Sequence, residues 1–314
     1  MKIIAKAGKE DLAIVYIAET NNGNLIEFVE SLQPPIPREK KWVLIVSTLF
    51  GCPVACRFCD AGSYYKGKLS EDEIISQIDF LVKQRFPNGT IPVEKFKIQF
   101  ARLGEPSFNQ NVLSVLDKLP NLFEAPGLLP SLSTVAPCGT DMFFERLLEI
   151  KKSKYPHEFQ FQFSLHSTDE NQRDWLIPIK KWDFKKMAVY GNKFYNNGGA
   201  KISLNFALSK HSLIDPDILL RYFNTEIFLI KVTPVNPTYQ AMKNNIISIL
   251  PQQKGVDLVE SLQTAGYEVI VSIGEFEENY IGSNCGQFIT TYNKSQEKIE
   301  GAYTYELQKN DVLT

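Results

Sequence analysis

Residues 42–59 read WVLIVSTLFGCPVACRFC, in which a run with the character of a buried strand leads directly into a loop with three cysteines. Cys52, Cys56 and Cys59 follow the spacing C-x3-C-x2-C. Three thiolates from one loop can bind three irons of a cubane and leave the fourth iron open for a cofactor or substrate. The loop therefore predicts a [4Fe-4S] cluster with these three cysteines as its protein ligands.

A structural zinc site is the main alternative for this loop. Such a site needs a fourth Cys or His close by, and residues 60–100 contain neither. Buried structural cysteines are a weaker alternative, because the Gly, Pro and Arg between them describe an exposed loop. The cluster remains the favoured interpretation.

Working outward from this loop, six segments rich in β-branched and aromatic residues alternate with helical patterns. Repeated strand and helix units predict an α/β fold with parallel strands and right-handed crossovers, arranged as a partial (β/α)6 barrel. The active site of such a barrel lies at the carboxyl ends of its strands. The predicted strands are 42–48, 95–100, 131–136, 159–166, 201–208 and 226–233.

The segments at the two ends of the chain look different from the barrel. Two strand-like runs around the turn NNGN predict an N-terminal β-hairpin within residues 13–30, and QPPIPREKK after it is a linker. We therefore expect the hairpin extension and linker at 1–40, the barrel at 41–290 and a C-terminal tail at 291–314. Within the barrel, Ser70 and Glu73 predict a capping box at the start of the first helix.

Composition limits the possible partners and compartment. The net charge of −2, from 34 basic and 36 acidic residues, gives no electrostatic argument for a polyanionic partner. Neither a signal peptide nor a membrane span is visible, so we expect a cytoplasmic protein without membrane contact. Three of the five cysteines lie within eight residues, which favours metal binding in a reducing compartment.

With Phe58 immediately before the last cysteine, the loop is similar to the signature of the radical S-adenosylmethionine superfamily. The resemblance implies a barrel of that type with two cofactors, a [4Fe-4S] cluster and S-adenosylmethionine, which chelates the open iron. It also implies that a reductant such as flavodoxin or ferredoxin reduces the cluster, which then cleaves S-adenosylmethionine to a 5′-deoxyadenosyl radical. The cofactor would carry the difficult chemistry, and the protein would orient it.

Further segments resemble, in order along the chain, the RlmN/Cfr methyltransferases that modify adenosine carbons in RNA. Singly each has a structural explanation: Gly104 and Pro106 suit a turn, and His166 suits a hydrogen-bonded interior histidine. The matching segments are GNLIE at 23–27, GCPVACRFC, LGEP…N through Asn109, STV and SLH at predicted strand ends, Arg173-x-x-Leu176-x-Pro178, Asn236-Pro237 and Cys285-Gly286-Gln287.

The resemblance also implies roles for individual residues. Cys285 would be methylated by one S-adenosylmethionine, and a radical made from a second would activate that methyl group for addition to an electron-poor aromatic carbon. Glu105 would bind the methionyl amino group, and Glu27 would face the substrate. The remaining residues of the cofactor site would be Phe58, Gly104, Ser133, Ser164, His166 and Asn236.

The chain departs from that family in two places. Ile45 stands seven residues before Cys52, where the family has a second cysteine that resolves the protein–substrate adduct, and isoleucine cannot act as a thiolate. Cys138 either approaches Cys285 in its place or is an ordinary loop thiol. The chain also begins near the start of the family's catalytic portion, so we expect its RNA-contacting domain to be absent.

Two substrate classes and three functions therefore stay open. The substrate is RNA or a small aromatic heterocycle, and the basic run at 179–186 either binds phosphates or is a solvated helix face with its aromatics packed inward. The leading hypothesis is a methyltransferase with Cys285 as carrier. The alternatives are a radical enzyme that takes hydrogen directly from a small molecule or peptide, and a non-catalytic iron–sulfur binding protein.

Overall fold

The computed structural model of the chain describes residues 1–250, 252–284, 288–289 and 301–309. Within these residues, eleven strands form one sheet, and the short strands β5 and β6 form a second. The strands are β1 Lys2–Lys9, β2 Ala13–Glu19, β3 Leu25–Ser31, β4 Trp42–Val46, β5 Leu49–Gly51, β6 Tyr65–Lys68, β7 Phe96–Phe100, β8 Leu128–Thr134, β9 Gln160–Ser164, β10 Ile202–Leu208, β11 Phe228–Pro234, β12 Val269–Val271 and β13 Gln308–Lys309.

Helices connect most of the parallel strands. They are α1 Glu71–Arg85, α2 Asn111–Leu122, α3 Asp141–Lys154, α4 Glu170–Leu176, α5 Phe184–Phe194, α6 Pro216–Tyr222, α7 Tyr239–Lys243, α8 Gln253–Thr264 and α9 Phe276–Ile281, with single 3-10 turns at Asp60–Ser63 and Pro106–Phe108. None of the helices in the described ranges is long and apolar enough to cross a bilayer.

Seven strands of the large sheet run parallel, in the spatial order β4, β7, β8, β9, β10, β11 and β12. All six predicted strands are among them and lie side by side in chain order. The predicted α/β class is therefore confirmed, and this strand order is consistent with a partial barrel. The unpredicted strand β12 is only three residues long, too short to produce a recognisable strand pattern.

The N-terminal strands continue the same sheet on its other side. β2 and β3 form the predicted antiparallel hairpin, with Ile17 opposite Glu27. β1 adds an unpredicted third strand, and β3 pairs antiparallel with β4, where Val29 lies opposite Ile45. Within the predicted tail, β13 pairs with β1. The boundaries at residues 40 and 290 stay a prediction.

Three apolar clusters stabilise the described part of the chain: a larger and a smaller core on the sheet, and a third beside the cysteine loop, around Val54 and Ile177. The larger lies between the sheet and the helices, where alternate residues of each strand, such as Trp42 and Leu44, are fully buried. At its edge α1 begins with the predicted capping box, in which the Ser70 amide donates to Glu73 Oε2 at 2.8 Å. The smaller core packs Phe288 and Ile289 against the opposite face of β1–β3. The chain just after residues 285–287 is thereby packed against the N-terminal strands.

Candidate active site

The cysteine loop leaves β4 through β5 and folds back on itself before β6. The Cys52 amide donates to the carbonyls of Ala61 and Tyr64 at 2.8 and 3.1 Å, which closes the loop. Gly51 has a φ of +80°, and a Cβ atom there would lie 1.9 Å from the Tyr64 carbonyl oxygen, so only glycine fits. All three cysteines of the loop are half-buried. The backbone thus presents the three predicted ligands from one tight loop.

The surroundings of these thiols suit an iron–sulfur cluster. Backbone amides of Val54, Glu105 and Ala55 lower the pKa of Cys52, and such donors stabilise thiolates and cluster sulfur. Burial raises the pKa of Cys52 to about 11, and it raises the pKa of Cys56 as well. Both thiols would release a proton on binding iron, as metal-ligating cysteines do.

The zinc alternative gains no support from the geometry. In the parts of the chain that the structure describes, no three His, Cys, Asp or Glu side chains are close enough together to hold one metal ion. Thiolates around one zinc ion lie about 4 Å apart, because each Zn–S bond is about 2.3 Å long. The thiolates of a cubane bind different irons and stand further apart.

Glu105 lies beside this loop, at the start of the 3-10 turn that follows β7. Its buried carboxylate accepts hydrogen bonds on Oε1 from Ser107 and from the Thr134 hydroxyl at 2.6 Å, and on Oε2 from the Val135 amide at 2.9 Å. Burial raises the pKa of Glu105 and these hydrogen bonds oppose the rise. Oε2 accepts fewer of these bonds than Oε1, so it is the oxygen better able to accept an ammonium group.

His166 follows β9 and completes the other side of the loop. Its ring lies edge-on to Phe58, and Nδ1 accepts a hydrogen bond from the Ala207 amide at 3.0 Å. Burial, together with the nearby charge of Arg173, lowers the pKa of His166 to about 3. His166 is therefore a neutral, hydrogen-bonded interior histidine that also touches the predicted cofactor residue Phe58.

Four more residues predicted for the cofactor site occupy strand ends around this group. Gly104 has a φ of +100°, which favours glycine. Ser133 and Ser164 are half-buried and lie on one face of the sheet, since Ser133 pairs with Gln162, two residues before Ser164. Asn236 follows β11 and lines a small cavity with Gly282, Asn284 and Tyr303. The cofactor roles of these residues stay predictions.

Asp60 is a buried residue that the sequence analysis missed. It accepts hydrogen bonds from the amides of Tyr239 and Gln240 at 3.1 and 2.9 Å, and from the Tyr303 hydroxyl at 3.3 Å. The carboxylate therefore ties the cysteine loop to the start of α7 and to the C-terminal segment. An acidic residue directly after the last cysteine was the available signal, and α7 lies too far along the chain for its link to Asp60 to be foreseen.

Glu27 and Arg102 form an ion pair that is almost completely excluded from solvent. Arg102 Nη2 lies 2.8 Å from Glu27 Oε1, and the two side chains are 1% and 0% exposed. The guanidinium also donates to the carbonyls of residues 282, 283 and 284 at 2.8, 2.8 and 3.3 Å, and Glu27 Oε2 accepts the Ile289 amide at 3.0 Å. The predicted carrier Cys285 lies outside the described residues, but this pair holds the chain on both sides of it.

The structure also shows the surroundings of Ile45, of Cys138 and of the basic run at 179–186. Ile45, at the position of the missing cysteine, packs against the smaller core, which also contains Phe288 and Ile289. Cys138 is exposed on the loop after β8. In the basic run at 179–186, Trp182 is buried against Phe144 and carries the Lys186 ammonium 4.6 Å above its ring. The structure thus favours the inward-packed alternative for that run.

Known proteins resemble this chain in sequence and in fold. No protein-family model matches the chain. A curated protein from Prochlorococcus marinus (strain NATL1A), named "Probable dual-specificity RNA methyltransferase RlmN", is 25% identical over 236 residues, which is 72% of this chain and 62% of that protein. The protein of the same name from Chlorobium phaeobacteroides is 26% identical over 265 residues, covering 80% of this chain and 68% of its own. The chain therefore spans less than two thirds of the Prochlorococcus protein.

A solved structure gives the corresponding match in fold. The radical SAM methyltransferase from Sphaerobacter thermophilus aligns with a TM-score of 0.68 over 91% of this chain and 81% of its own, at 18% sequence identity. At that identity the match shows the fold alone. The sequence relatives confirm the resemblance to the RlmN/Cfr family: the chain is similar, at 25% and 26% identity, to proteins named as RlmN methyltransferases.

Proposed function

We propose that the chain is a radical S-adenosylmethionine enzyme that transfers a methyl group to an aromatic, nucleobase-like carbon. The observation that carries the proposal is the placement of Glu105 and His166 around one loop with three half-buried cysteines. A carboxylate with acceptor capacity beside three thiols suits a cofactor that has both an ammonium group and a site on iron. The relationship to RlmN-type proteins supports methyl transfer.

Each cofactor has a set of residues suited to it. Cys52, Cys56 and Cys59 would hold the cluster, and Glu105 Oε2 would accept the methionyl ammonium group. Phe58, Gly104, Ser133, Ser164, His166 and Asn236 would line the same cofactor site. When bound, the cluster and S-adenosylmethionine would supply a methyl group and a 5′-deoxyadenosyl radical.

Cys285 would act as the methyl carrier. Its thiol would lose a proton, hold the methyl group as a thioether and pass the methyl carbon to the ring of the substrate. Each turnover would convert two molecules of S-adenosylmethionine and one aromatic C–H group into S-adenosylhomocysteine, methionine, 5′-deoxyadenosine and the methylated ring. This balance consumes two electrons, which a reductant such as flavodoxin or ferredoxin would supply.

The names of the relatives support RNA as the substrate. A small aromatic heterocycle is the alternative, because its ring carbons can be methylated in the same way. Because Ile45 stands where the family has its second cysteine, product release would need a different group to break the sulfur–carbon bond. The exposed Cys138 is one candidate within the chain, and a thiol in solution is another.

Product analysis tests this function directly. Anaerobic enzyme with a reconstituted cluster and a strong reductant is incubated with S-adenosylmethionine and either RNA or adenine nucleosides, and products are quantified by mass spectrometry. We expect a methylated ring and S-adenosylhomocysteine, both absent from Cys52→Ala. Formation of 5′-deoxyadenosine without S-adenosylhomocysteine would instead indicate direct hydrogen abstraction. Absence of any cofactor turnover would indicate an iron–sulfur binding protein.

A further inference from the structure

We propose that Glu27 and Arg102 form a clamp that fixes residues 282–284 and Ile289, on the two sides of Cys285 along the chain, next to the cofactor site. The clamp is defined by contacts among described residues, while the methyl-carrying role of the segment rests on the proposed function. Arg102 donates to three successive carbonyls, of residues 282–284, and Glu27 accepts the amide of Ile289. Only residues 285–288 lie between the two anchoring points.

The Glu27–Arg102 ion pair is buried, so its energetics differ from those of a surface ion pair. Moving two charges out of water costs more free energy than a simple ion pair returns, so such pairs persist where additional hydrogen bonds satisfy the charged groups. Here those additional bonds go to the main chain of one segment, at 2.8–3.3 Å from Arg102 and 3.0 Å from Glu27. The carbonyls lie just beyond the end of α9.

The clamp also connects the segment to the rest of the site. Arg102 precedes Glu105 by three residues on the loop after β7. Between them, the Leu103 carbonyl accepts hydrogen bonds from the amides of Thr48 and Leu49, at 2.8 and 3.1 Å, at the start of the cysteine loop. Residues 102–105 therefore connect the Glu105 carboxylate, the cysteine loop and residues 282–284.

On this reading Glu27 is a positioning residue. Its two oxygens are directed to Arg102 and to the amide of Ile289, and its side chain is fully buried. A carboxylate held in this way acts on the reaction through the segment that it fixes. The pair could not be foreseen from sequence, because 75 residues separate its members along the chain and the arginine belongs to no pattern.

Three variants separate the clamp from a general loss of stability. The double variant Glu27→Gln/Arg102→Met removes both charges together, so that neither is left buried alone. Arg102→Lys keeps the charge but presents a single ammonium in place of the guanidinium fork. The matched control is Glu30→Gln, which breaks another buried ion pair on β3, between Glu30 and Arg85 at 2.6 Å, without touching residues 282–289.

The measurements are hydrogen exchange of peptides spanning 276–289 and the rate of alkylation of Cys285, both by mass spectrometry on cluster-loaded protein. In the double variant we expect exchange and alkylation to accelerate roughly tenfold or more, because local opening is governed by the few contacts that close a segment. Arg102→Lys should show a smaller change of the same sign, and Glu30→Gln none in this region. The ratio of methylated product to 5′-deoxyadenosine should fall in the double variant while cofactor cleavage continues.

Native exchange and alkylation rates in the double variant would overturn the clamp. If that variant does not fold, Arg102→Lys decides the question by the same two rates. The proposed function can fail separately: accelerated exchange in the variants together with no methylated product from the native enzyme would retain the clamp and discard methyl transfer. Accelerated exchange in Glu30→Gln at residues 282–289 would also overturn the proposal, because the effect would then belong to any buried ion pair of β3.

Discussion

The imidazole of His166 lies edge-on to the ring of Phe58, with the two centroids 4.8 Å apart. His166 has a φ of +63°, and its Nδ1 accepts the Ala207 amide, which fixes the ring between β9 and β10. This contact joins the end of β9 to the cysteine loop. Because the ring is buried and neutral, it serves as a wall of the site with one N–H donor on Nε2.

The buried state of His166 predicts how stability depends on pH. In the unfolded chain a histidine binds a proton near pH 6.5, whereas the folded protein keeps the pKa of His166 at about 3. Below pH 6.5 the unfolded chain therefore binds this proton and the folded protein does not. The free energy of unfolding should fall by up to about 1.4 kcal/mol for each unit by which the pH is lowered. Urea unfolding of the cluster-free protein at pH 7 and pH 5 measures the slope.

His166→Asn is the variant for that measurement, since asparagine tolerates a positive φ better than most residues. The variant should lose stability less steeply than the native protein between pH 7 and pH 5. Equal slopes for the two proteins would mean that His166 does not remain neutral in the folded state.

The three cysteines of the loop predict the behaviour of the cluster. Replacing Cys52, Cys56 or Cys59 by Ala should abolish the iron–sulfur absorbance and cofactor cleavage, because two thiolates hold a cubane poorly. Iron content and visible absorbance of anaerobically reconstituted protein are the measurements. Cys138→Ala, which removes an exposed thiol, is the control and should retain the cluster. A full iron complement in all three loop variants would contradict the ligand assignment.

Glu105 predicts the affinity for S-adenosylmethionine. A charge-assisted hydrogen bond to an ammonium group contributes about 1.5–3 kcal/mol. Glu105→Gln should therefore weaken binding by roughly ten- to a hundredfold, measured by calorimetry on cluster-loaded protein, while the cluster absorbance is kept. Glu94→Gln, an exposed residue just before β7, is the matched control. Unchanged affinity in Glu105→Gln would place the ammonium group elsewhere.

The parts of this structure that sequence could predict are those with local signals. Residues 42–48 and the five later segments form strands because their β-branched and aromatic residues repeat over five or more positions. Ser70 and Glu73 form the predicted cap because both partners lie within one helical turn. Strand β12, residues 269–271, was not predicted because three residues are too few to show the alternating pattern of a strand.

The contacts that organise the site are the parts that sequence could not predict. Asp60 meets Tyr239 and Gln240 about 180 residues further along the chain, and Arg102 meets residues 282–284 across the same separation. Such pairs arise only when the sheet brings distant strand ends to one edge. Glu105 was recognised through its motif, but two of its four hydrogen bonds come from Thr134 and Val135, at the end of the next strand.

Cys285 predicts a mass signature on the protein itself. A methyl carrier is isolated partly in its loaded form, so protein expressed with its cluster intact should show one added methyl group on the peptide that contains Cys285. Tandem mass spectrometry of the digested protein measures it, and Cys285→Ala should lack it. The glycines at 282 and 286 flank the thiol, as suits a loop that brings sulfur to both a cofactor and a substrate.

Mass spectrometry of the enzyme after turnover tests how the product is released from Cys285. Since Ile45 offers no thiol, Cys138→Ala should accumulate a protein–substrate crosslink if Cys138 breaks the sulfur–carbon bond, and should turn over normally if an external thiol does so. Omitting thiols from the buffer distinguishes the two, because only the external route then stops in the native enzyme. An unmethylated Cys285 in active enzyme, with 5′-deoxyadenosine formed at the native rate by Cys285→Ala, would refute the carrier role and favour direct hydrogen abstraction from the substrate.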